Sequence, residues 1–141
     1  MKEIHTLRGV VLQGGDTKKI FESPRSGTGW VVKAFYVWPY NMDSNLYSHG
    51  KLWKGDPTNA STQNSDAQNS QCFAWSATSG STAEAVRYDI IDPDHLITTE
   101  LYVINTAAQA ISYMVILEQR EITADQEVLS IIKERSQDVH N

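Results

Sequence analysis

The strongest constraint on the fold is the apolar stretch at residues 96–137. It contains two runs of β-branched and large apolar residues, at residues 101–104 (LYVI) and 111–117 (ISYMVIL). Such runs, separated by a few polar residues, are typical of paired strands that are covered by other layers. We therefore predict a long β-hairpin here, with its second strand in the centre of a sheet.

A helix is predicted to follow this hairpin. Residues 123–126 (TADQ) form a capping box, in which two side chains satisfy exposed backbone N–H groups of the first turn. The apolar stripe of the helix consists of Val128, Leu129 and Ile132. A stripe of this spacing indicates one face turned towards a core. We expect the helix at about residues 124–135 and a polar tail at residues 136–141.

The first part of the chain reads as shorter strands separated by turn residues. Residues 30–38 (WVVKAFYVW) are apolar on both alternating faces, which indicates a central strand, and Pro39 ends it. Two short strands are expected on either side of a bend at His49 and Gly50. The remaining strands are predicted at residues 6–12, 17–21, 71–77 and 86–91.

Roughly eight strands with turn signals between them indicate an all-β chain. We predict an antiparallel β-sandwich, jelly-roll-like, with one short C-terminal helix, built as a single domain from residues 1–141. Exposed loops rich in small polar residues are expected at residues 55–70 and 78–85. Long loops of this kind are often functional.

Charge and composition argue against several classes of partner. The formal net charge is −5 and no basic face is visible, so we expect no direct contact with nucleic acid. No apolar run approaches the roughly 20 residues of a membrane-spanning helix, and the start of the chain does not resemble a signal peptide. We therefore expect synthesis in the cytoplasm and no membrane contact. The single cysteine, Cys72, is expected to be a small buried apolar side chain.

Motifs that carry chemistry are weak. Residues 78–82 (TSGST) lack the second glycine of a nucleophile elbow, and nothing selects a pair of carboxylates for glycoside hydrolysis. Asp92, Asp94 and His95 are the best cluster of hard ligands, but a calcium ion needs six or more oxygens. Capping of a turn is the favoured reading of these residues. We expect no enzymatic activity, no cofactor and no metal.

Four tryptophans could form a platform for sugar rings. Three of them lie in predicted strands and are expected to fill the core: Trp30, Trp38 and Trp75. Trp53 lies in the least regular region and is the best candidate for exposure. The candidate interface or ligand surface therefore comprises Trp53 and Tyr47, together with Thr6 and Leu7 of the first strand and Val139 of the tail.

Several segments resemble a group of small β-rich proteins encoded by uncultured marine tailed phages, in whose genomes they look like virion components. The segments are residues 29–39 (GWVVKAFYVWP), 74–76 (AWS), 91–97 (IDPDHLI), 101–105 (LYVIN) and 128–137 (VLSIIKERSQ). Their order and the length of the chain also fit this group. The resemblance implies a structural role in a virion, with no catalytic residues.

The sequence supports two predictions of function. The first is a capsid decoration, cement or minor capsid protein, located in the virion. Its expected partners are the major capsid protein or other virion proteins, and further copies of the chain in a homo-oligomer. The alternative is a carbohydrate- or receptor-binding β-sandwich module of a phage tail or fibre.

Overall fold

The computed structural model describes residues 3–24, 28–41, 47–55, 57, 71–80 and 85–121. These residues contain eight strands. They are β1 (Ile4–Val11), β2 (Thr17–Glu22), β3 (Thr28–Pro39), β4 (Ser48–Lys54), β5 (Cys72–Gly80), β6 (Ala85–Ile91), β7 (Glu100–Asn105) and β8 (Ile111–Glu121).

The strands form two antiparallel sheets that pack face to face. The smaller sheet has the order β1-β8-β3 and the larger one the order β2-β7-β4-β5-β6. Strand β1 pairs with β8, β2 with β7 and β4 with β5, which is the nested pairing of a jelly roll. Strand β6 departs from that plan, because it pairs with β5 in the larger sheet. The predicted antiparallel, jelly-roll-like sandwich is confirmed.

The main core lies between the two sheets. Phe35 of β3 and Val115 of β8 enter it from the smaller sheet, and Leu52 of β4 and Val103 of β7 enter it from the larger one. All four side chains are fully buried. Strand β8 lies in the middle of its sheet, as the apolar run at residues 111–117 predicts.

The predicted hairpin between β7 and β8 is wrong, because the two strands belong to different sheets. The connection between them crosses the sandwich and is organised by Asn105, which is fully buried. Its amide nitrogen donates to the carbonyl oxygens of Val11, Gln13 and Gln109 at 3.3, 3.2 and 2.8 Å. Its amide oxygen accepts the N–H of Ala107 at 2.9 Å. These bonds hold the connection in a crossover instead of a tight turn.

The central position predicted for residues 30–38 is also wrong. Strand β3 is an edge strand that pairs only with β8 among the described strands. Pro39 does end it, as predicted. Groups from the larger sheet and from the turn after β6 cover its open edge.

Two further predictions about strand boundaries are corrected. The expected bend at His49 and Gly50 does not exist, because both residues lie inside the single strand β4. Strand β5 continues to Gly80, through the first part of the loop predicted at residues 78–85. The predicted helix at residues 124–135, its capping box, the polar tail and nearly all of the loop at residues 55–70 lie outside the described residues.

Candidate functional site

An open groove of about 600 Å³ lies where β3, the end of β6 and the end of β8 meet. Val31, Val32 and Ile91 supply apolar lining, and Lys33 and Arg120 supply charged groups. The Lys33 ammonium lies 3.6 Å from the Glu118 carboxylate. Among its described lining residues, the groove also contains Asp94, Glu121 and one histidine, His95. A histidine is the side chain best suited to acid–base chemistry near neutral pH, so the bonding of the His95 ring determines whether it can take part in such chemistry.

His95 has no ring nitrogen available for catalysis. Its Nε2 atom accepts the backbone N–H of Val32 at 2.8 Å, and its Nδ1 atom lies 2.5 Å from the carbonyl oxygen of Asp92, to which it donates. The ring stacks on Phe73 with centroids 4.3 Å apart. Burial lowers the pKa of His95, which favours the neutral ring that this bonding requires. The histidine ties the turn after β6 to the edge of β3.

A second group of polar side chains closes the same edge further along β3. Ser76 Oγ accepts the backbone N–H of Val37 at 2.9 Å and donates to the Asp89 carboxylate at 2.5 Å. Arg87 donates to the Val37 carbonyl oxygen at 2.9 Å and pairs with Asp89, with Nε 2.9 Å from Oδ2. These charges therefore serve the backbone of an edge strand, which would otherwise be open to pairing.

The residues of β3 whose backbone groups are bonded at the open edge are even-numbered at the start of the strand and odd-numbered further along. Trp30 bonds Ile97 through both of its backbone groups, and Val32 bonds His95, whereas the next such residue is Val37. The register of β3 against β8 shifts between Val32 and Ala34. A bulge of this kind turns the residues beyond it to the opposite side, so odd-numbered residues face the open edge after it.

The cluster Asp92, Asp94 and His95 acts as the predicted turn cap. Asp92 Oδ1 accepts the backbone N–H of Asp94 at 2.9 Å. Because the His95 ring is directed at Val32 and Phe73, it does not converge with the two carboxylates. Within the described part of the chain, no group of three or more His, Cys, Asp or Glu side chains could hold a metal ion.

Thr6 and Leu7, the candidate interface residues of the first strand, lie in β1. This strand is an edge of the smaller sheet and pairs with β8. Thr6 is exposed and Leu7 is half-buried. The neighbouring Ile4 is 67% exposed, although isoleucine is usually a core residue. The structure thus places these candidates on an accessible strand edge.

Tyr47 is also on the surface, at the start of β4. Its hydroxyl lies 3.1 Å from His49 Nε2, and the other ring nitrogen of His49 lies 2.5 Å from Thr106 Oγ1. Burial lowers the pKa of His49. Gln109 donates to the Tyr47 carbonyl oxygen at 2.5 Å. This group fastens the start of β4 to the β7–β8 connection.

The prediction that Trp53 is exposed is wrong, because only 2% of its surface is accessible. It packs with Cys72 and Ile104 on the face of the larger sheet opposite to the main core. Its position follows from alternation, since the preceding residue, Leu52, points into the main core. The predicted irregular region is in fact a central strand of that sheet.

The other predictions for single residues have mixed outcomes. Cys72 is buried and Trp30 is 2% exposed, as expected for core residues. Trp38 and Trp75 are only half-buried. Val139, the candidate from the tail, lies outside the described residues.

The outward face of β6 forms an apolar surface that is not predicted from the sequence. Val86, Tyr88 and Ile90 of β6 are 69%, 51% and 53% exposed. They alternate with Arg87 and Asp89, whose side chains face β3 across the sandwich. The alternation was visible in the sequence, but the side that faces outward is set by the charged network at the edge of β3.

Comparisons with known proteins found no relative that identifies the chain. No protein-family model matches it, and no significant match was found among curated proteins or among solved structures. A helix suited to crossing a membrane does not occur among the described residues.

Proposed function

We propose that the chain is a structural protein of a virion, acting as a capsid decoration, cement or minor capsid subunit. The observation that carries the proposal is the open edge at β1. Among the described strands, β1 pairs only with β8, and the Lys18 ammonium bonds the Val10 carbonyl oxygen near the end of the strand at 3.3 Å. Ile4, 67% exposed, and the exposed Thr6 project from one face of this strand. Strand β1 is the element through which the chain binds the major capsid protein or another virion protein.

Two physical features favour binding through β1. An edge strand offers unpaired backbone groups that a partner strand can bond, and its side chains add specificity. The strand is also held rigidly, because its eight residues pair in continuous register with β8, from Ile4 opposite Glu118 to Val11 opposite Ile111. A rigid edge loses little conformational freedom on binding.

The resemblance of several segments to virion proteins of marine tailed phages supports the same role. The alternative is a carbohydrate- or receptor-binding module, for which Trp53 was the best candidate for an exposed aromatic ring. Because Trp53 is buried, it cannot supply a sugar platform. The sugar-binding alternative thus loses its best candidate residue, whereas the decoration role does not require an exposed tryptophan.

Co-sedimentation with capsids tests this proposal. The purified chain is mixed with empty capsids of a tailed phage whose genome carries this gene, and the bound amount is measured against capsid protein. We expect saturation at a fixed stoichiometry, and at least a tenfold loss of affinity for Ile4→Asp, since charge at a buried apolar contact is costly.

The matched control is Leu12→Asp. Leu12 is also 67% exposed but lies just beyond the end of β1. We expect this variant to bind like the unmodified chain. Absence of saturable binding would contradict the virion role, and equal loss in both variants would contradict docking through β1.

A further inference from the structure

We propose that β6 pairs with β6 of a second copy across a two-fold axis, which joins two five-stranded sheets into one continuous sheet. Strand β6 is the edge of the larger sheet, and its ladder in the described structure is formed with β5. All residues from Val86 to Ile90 are exposed, and no other described strand pairs with β6. Within the described residues, the side of β6 away from β5 is therefore available to another strand.

The sequence of β6 is complementary to itself. Residues 86–90 read Val-Arg-Tyr-Asp-Ile, with an apolar residue at each end, opposite charges inside them and Tyr88 in the middle. Antiparallel pairing centred on Tyr88 sets Val86 opposite Ile90 of the second copy and Arg87 opposite its Asp89. Two-fold symmetry repeats both contacts, as an isologous interface requires.

The charges also select this register over its neighbours. A shift of two residues in one direction sets Arg87 opposite Arg87 of the second copy, and a shift in the other direction sets Asp89 opposite Asp89. Like charges directly opposite each other destabilise a pair of strands. A shift of one residue places the apolar side chains of one copy on the charged face of the other.

The apolar stripe gives the pairing its stabilisation. Val86, Tyr88 and Ile90 lie on one face and are more than half exposed in the single chain. In the pair, each lies beside an apolar side chain of the second copy, and the two Tyr88 rings meet at the axis. On the other face, Arg87 and Asp89 retain 35% and 24% side-chain exposure, so both can reach the opposite charges of the second copy.

This charge pattern identifies the occupant as a second copy. Read from its own N-terminus, an antiparallel partner strand would need a basic residue and then, two positions later, an acidic one, flanked by apolar residues, and the chain itself supplies that sequence. The inference does not depend on the virion role, because it concerns only contacts between copies of this chain.

The test is the molar mass of the full chain, measured by light scattering or sedimentation over a range of concentrations. We expect the unmodified chain to reach twice its 15.8 kDa mass. Tyr88→Lys and Tyr88→Glu should each remain at the single-chain mass, because two like charges then meet at the axis. An equimolar mixture of these two variants should return to the doubled mass.

The matched control is Tyr40→Lys, because Tyr40 is another exposed tyrosine, at 59%, and lies outside β6. We expect it to associate like the unmodified chain. A second measurement uses Tyr88→Cys, which should form a covalent dimer on oxidation, since opposed residues of paired strands lie within disulfide range. A single-chain mass for the unmodified protein, dimers of either charged variant alone, or a mixture that stays at single-chain mass would each overturn the proposal.

Discussion

Replacement of Asn105 by alanine should destabilise the fold strongly. The Asn105 side chain is fully buried and holds the crossover from β7 to β8. Its two shortest bonds join it to the Ala107 N–H at 2.9 Å and to the Gln109 carbonyl oxygen at 2.8 Å. In Asn105→Ala, the backbone groups of these bonds lose their partner.

The magnitude follows from those two groups. Each buried polar group left without a partner costs about 1–3 kcal/mol, so two fully buried groups would cost about 2–6 kcal/mol. Because the Gln109 contact is only partly buried, we expect a loss in the lower half of this range, about 2–4 kcal/mol in the free energy of unfolding. The longer contacts to Val11 and Gln13 add less because of their length. The loss is a large fraction of the total, which is about 5–15 kcal/mol for a typical domain.

Urea denaturation followed by tryptophan fluorescence measures this loss. Gln13→Ala is the control, because Gln13 is exposed in the same region and its side chain should contribute less than about 0.5 kcal/mol. Asn105→Asp keeps an acceptor for Ala107 but turns a carboxylate towards carbonyl oxygens, so it should be at least as destabilising at neutral pH. A loss below about 0.5 kcal/mol for Asn105→Ala would refute the role assigned to this side chain.

Two further predictions concern the burial of His95 and the close packing at Gly14. Burial lowers the pKa of His95, so unfolded chains take up a proton more readily than folded ones. The stabilisation should therefore be fully present above about pH 6.5 and should fall as the pH decreases from there towards the lowered pKa. His49, whose pKa burial also lowers, adds to this dependence, so His95→Phe should reduce the slope without abolishing it, and an unchanged slope would contradict the account. Gly14→Ala should lower the free energy of unfolding by about 1–3 kcal/mol, because the added Cβ would collide with the carbonyl oxygen of Ala107, and a melting temperature equal to that of the unmodified chain would argue against this contact.

The sequence was informative about strands and less so about their neighbours. Alternation and turn residues located seven of the eight strands of the described chain, because they are local signals, but they divided β4 into two short strands. The pairing of β7 with β8 was predicted wrongly because a short polar connection serves a hairpin and a crossover equally well. What decides between them is Asn105, whose side chain bonds the carbonyl oxygens of Val11 and Gln13, far away in the sequence.

The candidate surface residues also differ in how well the sequence predicts their location. Thr6 and Leu7, predicted to belong to an interface, lie in a strand at the edge of a sheet, whereas Trp53 is buried in a central strand. The outward face of β6 depends on Arg87, which bonds the backbone of β3. Pairing between residues so distant in sequence cannot be read from a local pattern.

The central claim, that the chain is a virion subunit bound through β1, is tested most directly by hydrogen–deuterium exchange on the capsid. Exchange of backbone amides is compared between the free chain and the chain bound to capsids. We predict slower exchange at residues 4–11 in the bound state, because the open side of β1 would then be bonded to a partner strand. Unchanged exchange in β1, with protection elsewhere on the bound chain, would contradict the claim.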